Sequence, residues 1–226
     1  MRTLLLHGFT GGAASFAHLG LDAVTPELPG HGSAADATSW DDALRSLEPL
    51  LDPGPVILAG YSMGGRIALA LALRHPEKVS RLVLAGATAG IDGAAERAQR
   101  LRDDGALADF IEQRGLAAFV RRWEQHPALA SLQPFAARLR PQRLAHRARG
   151  LASALRQLGT GAQPSYWSEL SRLTMPVRIL AGLRDAKFAA IALRLSQHIG
   201  RAELRLLDCG HAPHLEQPDA FKEALR

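Results

Sequence analysis

The sequence predicts an α/β chain: a mostly parallel, doubly wound sheet of about six strands with a helical segment inserted into it. Three observations carry that expectation. Short apolar runs of four to seven residues recur along the chain, most of them bounded by Gly, Pro or Asp, which suits buried strands and is too short for helices. Segments of helical periodicity lie between them, and this alternation calls for right-handed crossovers and parallel strands. Serine, aspartate and histidine residues fall at or just beyond the C-terminal ends of three runs, where open α/β sheets place their sites.

In chain order, the first strand is Thr3-Leu4-Leu5-Leu6, followed by His7-Gly8-Phe9-Thr10-Gly11-Gly12. Glycines in such a loop let a backbone N–H approach a substrate oxygen closely, and Phe9 is the candidate donor. A second strand is expected over residues 23–27 and a third over 55–60. The third runs into Gly60-Tyr61-Ser62-Met63-Gly64, a G-x-S-x-G pattern, and then into the helix-forming run Arg66 to Leu73, closed by His75-Pro76. Strand, tight turn and helix are the context in which this pattern presents a nucleophilic serine. The turn strains Ser62, so Gly60 and Gly64 give room on either side. The Met63 N–H sits at the positive end of the helix and is the second candidate oxyanion donor.

A serine needs an imidazole and a carboxylate brought from elsewhere. The fourth strand is expected over 80–86 and the fifth over 176–182, with Asp185 three residues past its Gly182. The sixth, 202–208, ends at Asp208-Cys209-Gly210-His211. The order Ser62, Asp185, His211 is the one this strand arrangement requires. Asp208 is the alternative acid, read as orienting its loop because it shares a strand end with His211. His214 is the alternative histidine, read as capping or packing at the start of the last helix.

The 226 residues, 47% of them hydrophobic, support one compact unit. Residues 1–89 and 175–226 are expected to form the core and 90–174 an inserted helical cap. No run approaches the roughly 18 apolar residues of a membrane span, and no signal-like segment precedes the first strand. The single cysteine, Cys209, excludes an internal disulfide and fits a cytoplasmic chain. No CxxC or HExxH spacing suggests a metal. A monomer or small homo-oligomer is expected.

Charge is unevenly placed. Residues 90–174 hold 13 Arg, no Lys and 8 acidic residues, so the entire formal excess of +5 lies there. Three readings compete. Nucleic-acid binding would ordinarily mix Lys with Arg and bring a recognisable motif, and none is present. A solvated helix face is the ordinary meaning of a charge run. A lid that clamps carboxylates would use the bidentate fork that Arg supplies. Arg66 favours the lid, because it lies one helical turn beyond Ser62 and its guanidinium can reach over the same pocket.

These residues resemble the α/β-hydrolase superfamily over the whole chain, and more specifically the MenH family, the 2-succinyl-6-hydroxy-2,4-cyclohexadiene-1-carboxylate synthases. The matching segments are LLLHGFTG, ELPGHG, GYSMGGRIAL, TGAQPSYW, GLRDAKF and CGHAPHLEQP. The arginine after the elbow, the D-x-K-F and the T-G-x-Q-P-S-x-W are the family-specific parts. The resemblance implies an α/β-hydrolase fold, a Ser62–His211–Asp185 triad and no cofactor. It also implies a small polycarboxylate substrate held by Tyr61, Arg66, Arg100, Trp123 and Arg143. The implied reaction is elimination of pyruvate from 2-succinyl-5-enolpyruvyl-6-hydroxy-3-cyclohexene-1-carboxylate. A carboxylesterase or C–C bond hydrolase of an acidic small molecule, and a non-catalytic binding protein of the same fold, are the alternatives.

Overall fold

In the computed structural model, which describes residues 1–226, five parallel strands form one sheet in the order β1-β2-β3-β4-β5. They are β1 (Thr3–Leu6), β2 (Val56–Tyr61), β3 (Val79–Ala85), β4 (Val177–Gly182) and β5 (Ala202–Leu207). Alternate residues of these strands feed two cores, as the two-residue period of a strand requires. Leu4, Leu6, Leu58, Leu82, Leu84 and Ile179 face the larger one. There they meet α1 (Trp40–Leu47), α2 (Met63–Arg74) and α6 (Ala186–His198). Leu5, Ala59, Val83 and Leu180 face the other, covered by Phe16, Leu19 and the C-terminal helix α8 (Pro218–Leu225).

The strand expected over residues 23–27 does not form. Only Val24 pairs, with Leu4, through Val24 N–H to Thr3 O and Leu5 N–H to Val24 O. Pro26 has no N–H to continue the ladder, and Val24 is 42% exposed at the edge. The bridge still records the winding. From β1 the chain goes outward to Val24, then returns past β1 to β2, so the direction reverses beside β1. The loops after β1 and β2 therefore flank the switch point, the crevice in which such sheets bind ligands.

Between β3 and β4 lie α3 (Ala94–Glu124), α4 (Ala136–Leu144) and α5 (Ala148–Leu158), with short 3₁₀ segments. Gly115 breaks α3 with φ 75° and ψ 167°, a conformation essentially reserved for glycine. The second half of α3 packs Phe119 and Val120 against Leu151, Ala152 and Leu155 of α5. α5 approaches the core so closely that a Cβ on Gly30 would lie 2.4 Å from Gly150 O. No helix is long and apolar enough to cross a membrane.

Candidate active site

β2 ends by running straight into α2, and the backbone cannot make that turn without strain. Ser62 adopts φ 52° and ψ −111°. The turn closes because two side chains are missing. A Cβ on Gly60 would lie 2.3 Å from Gly64 O, and one on Gly64 would lie 2.1 Å from Leu6 O. The result lifts the Ser62 hydroxyl clear of the sheet.

His211 follows β5 and Asp185 follows β4. The Ser62 Oγ and His211 Nε2 are 3.1 Å apart, and His211 Nδ1 is 2.6 Å from Asp185 Oδ2. The second Asp185 oxygen accepts the Phe188 N–H at 3.3 Å as the N-cap of α6, which fixes the carboxylate plane. Burial works against the Asp185 anion, but the hydrogen bond and charge of His211 outweigh it and hold its pKa below the ordinary value. The ring is wedged against Phe188 at 4.4 Å between centroids, and Gly86, at φ 58°, lets the chain after β3 pass beside it. Asp208, by contrast, is exposed and paired with Arg184. His214 lies in α7 (Pro213–Glu216), buried, with its ring tilted against that of Tyr61 at 4.3 Å between centroids.

The Phe9 N–H makes no hydrogen bond within the protein. Met63 is the first residue of α2, so its N–H has no partner in the helix either. Both residues line, with Ser62 and His211, a cavity of about 970 Å³ roofed by the helices between β3 and β4. Arg66, Arg100, Trp123 and Arg143 line the same cavity, as does Tyr61.

These side chains are held in different ways. Arg66 is 7% exposed and donates to Leu158 O at 2.7 Å and Gln163 Oε1 at 3.2 Å, with its guanidinium over the Trp40 ring. No carboxylate pairs with it. Burial, then the neighbouring Arg100, pushes its pKa down to about 9, so it is still a cation at neutral pH. Arg100 is anchored by its Nε to Asp104 Oδ1 at 2.8 Å and stays partly exposed. Arg143 is buried with Nη1 3.0 Å from Glu124 Oε1, and Glu124 also pairs with Arg140. Trp123 meets Phe9 edge-on at 5.4 Å, and burial pushes the Tyr61 phenol up.

Sequence reasoning missed the partners that aim these groups. Glu124 immediately follows Trp123, and Gln163 lies inside the T-G-x-Q-P-S-x-W segment, so a motif signal existed for the latter. Glu216 is the third. Its carboxylate accepts the Gly210 N–H at 2.8 Å and the Ala212 N–H at 3.2 Å, bracketing His211. No group of three or more His, Cys, Asp or Glu side chains is arranged to hold a metal ion.

A parallel sheet with helices on both faces, a strained serine after β2 and a histidine after the last strand define the alpha/beta hydrolase class. The Alpha/beta hydrolase family model matches residues 3–224. A Bacillus subtilis protein that carries the name 2-succinyl-6-hydroxy-2,4-cyclohexadiene-1-carboxylate synthase provisionally is 36% identical, over 96% of this chain and 85% of its own length. The Escherichia coli O1:K1 protein of that name is 31% identical over 95% of this chain and 88% of its own. The solved structure of MenH from S. aureus superposes with a TM-score of 0.92 at 31% identity, covering all of this chain and 95% of that one. The chain belongs to the alpha/beta hydrolase family and, within it, to the family of 2-succinyl-6-hydroxy-2,4-cyclohexadiene-1-carboxylate synthases.

Proposed function

We propose that the protein is a menaquinone-biosynthesis lyase. It would eliminate pyruvate from 2-succinyl-5-enolpyruvyl-6-hydroxy-3-cyclohexene-1-carboxylate to give 2-succinyl-6-hydroxy-2,4-cyclohexadiene-1-carboxylate. The observation that carries this reading is Arg66: a buried cation with no carboxylate partner, one helical turn from Ser62, in the wall of the same cavity. Burying a guanidinium without an ion-pair partner is costly, and a substrate carboxylate recovers that cost on binding. A cavity for neutral esters has no use for such a group. Residues 90–174 act as the cap that completes the carboxylate site with Arg100, Trp123 and Arg143.

In this mechanism His211, oriented by Asp185, removes the Ser62 proton, and the alkoxide takes a proton from substrate carbon. The electron pair left on carbon becomes the new ring double bond as the C–O bond to the enolpyruvyl group breaks. Pyruvate leaves as its enolate and is protonated. Charge that develops on the substrate's carbonyl oxygen is met by the Phe9 and Met63 N–H groups.

The Ser62–His211 pair at 3.1 Å with two free N–H donors would equally serve an acyl-enzyme hydrolase of acidic substrates. Incubation with the enolpyruvyl substrate separates the two: pyruvate release with turnover is expected. Rapid p-nitrophenyl ester cleavage without pyruvate would replace the lyase with the hydrolase.

A further inference from the structure

His146 lies just past α4, in the helical segment, and nothing in the proposed chemistry uses it. It is buried. Both ring nitrogens are engaged by backbone of the core domain, on two different loops. Nδ1 accepts the Gly32 N–H at 2.9 Å, and the Nε2 proton is given to Thr10 O at 3.1 Å. The two bonds together require the neutral ring with its proton on Nε2.

The Thr10 end matters because of where Thr10 sits. It follows Phe9, which lines the cavity with Ser62 and whose N–H has no partner in the protein, and it is held at φ 65°. That conformation is rare for a β-branched residue and persists only where surroundings enforce it. Within the loop, Gly11 N–H reaches Gly8 O at 2.9 Å. From outside it, His146 is the side chain that grips Thr10. A second contact runs parallel to it: Gln142, on α4, donates to Ser15 Oγ at 3.1 Å, and the same oxygen accepts the Gly12 N–H at 2.9 Å. Arg143 lies between these two residues in sequence. The stretch that presents a carboxylate-binding arginine thus also clamps the oxyanion loop.

We propose that His146 is a positioning residue that registers the helical segment against the oxyanion loop, so that the Phe9 N–H is held in place. This rests on the lyase reading for the charge that the Phe9 N–H would meet, but not for the clamp itself. The groups facing the ring are His31, edge-on at 5.4 Å, then His7 and Glu27 from the core loops and Arg147 on its own strand of chain, bonded to Gly32 O. Burial holds His146 below the ordinary histidine pKa, so the ring is neutral at pH 7 and gains its second proton only in acid. That proton occupies Nδ1 and expels the Gly32 N–H.

The test compares His146→Leu, which fills the space with neither bond, with His146→Gln, whose amide oxygen and NH2 can replace both. Two readings are taken on each: steady-state pyruvate release, and hydrogen–deuterium exchange over residues 7–15 and 27–34. His146→Leu is expected to lose at least about tenfold in kcat with KM changed by less than about threefold, since the oxyanion donors act in the transition state. Exchange should accelerate in both segments, and His146→Gln should recover most of both effects. Unchanged exchange in the Leu variant overturns the proposal whatever happens to the rate, and so does a raised KM at wild-type kcat. If the wild-type protein releases no pyruvate, the lyase reading falls, and the exchange comparison still decides whether His146 holds the loop.

Discussion

Ser62 stands at φ 52° because β2 turns directly into α2 through close approaches that only Gly60 and Gly64 permit, and the catalytic reading depends on what that strain presents to His211. Ser62→Ala and His211→Ala are each expected to lower kcat by on the order of 10³-fold or more, with the fold intact by circular dichroism. Asp185→Asn should approach them, because it leaves His211 without the acceptor that selects its tautomer. Asp208→Asn should cost less than about threefold, since its partner is an exposed arginine. A larger loss at Asp208 than at Asp185 would transfer the acid's role. Arg66 supplies a second test. Arg66→Ala should reduce kcat/KM by roughly ten- to a hundredfold, as expected for a charge-assisted pair worth about 1.5–3 kcal/mol. Arg66→Lys should recover only part, because an ammonium cannot reproduce a planar fork bonded to Leu158 O and Gln163 Oε1 at once.

At the scale of elements, α4 separates its arginines by face. Arg143 is buried against Glu124 and lines the cavity, whereas Arg138 is exposed and makes no ion pair. Arg143→Ala is therefore expected to cost about tenfold or more in kcat/KM and Arg138→Ala less than about twofold. Equal small losses would mean that the basic helices are a solvated surface and not a carboxylate site. Arg143→Ala also strips one partner from the buried Glu124 carboxylate, leaving Arg140, so a modest drop in melting temperature should accompany it. The kink in α3 gives an independent check on the helical segment. Gly115→Ala meets no neighbouring atoms, yet it must hold φ 75°, so its cost is purely backbone strain. About 1–3 kcal/mol is expected, or a fall of several degrees in melting temperature for a chain of this size. A wild-type melting temperature for Gly115→Ala would show that α3 can straighten.

For the whole molecule, buried histidines make stability depend on pH between neutrality and mild acid. Burial is the main cause holding His7 at about 4, and it keeps His31 well below the ordinary 6.5 as well. Both rings are neutral in the fold. In the unfolded chain each titrates near about 6.5, so below that pH the unfolded state binds more protons. Stability is complete above about pH 6.5 and falls as the pH drops toward the His7 value. For His7 alone the loss is roughly 3 kcal/mol by pH 4. Urea midpoints measured at about pH 7.5 and about pH 5 should differ accordingly, the lower value at acid pH. A midpoint flat across that window would contradict neutral burial of this cluster.

The pattern of short apolar runs, the G-x-S-x-G turn and the order of Ser62, Asp185 and His211 are local properties, and local chemistry suffices to read them. A strand announces itself by length and apolarity, and an elbow by glycines two residues to either side. Tertiary structure decided the rest. Residues 23–27 are apolar enough for a strand, but Pro26 and an exposed edge reduce them to a single bridge, which depends on what lies beside them. That Arg143 leans on Glu124, Arg66 on Gln163, and His146 on Thr10 and Gly32 could not be read along the chain. Each of these pairs spans 19 to 136 positions, and such a contact exists only once the helices between β3 and β4 have folded back over the switch point. The sequence by itself determined which residues could do chemistry; which of them share one cavity was settled by the packing of that helical segment on the sheet.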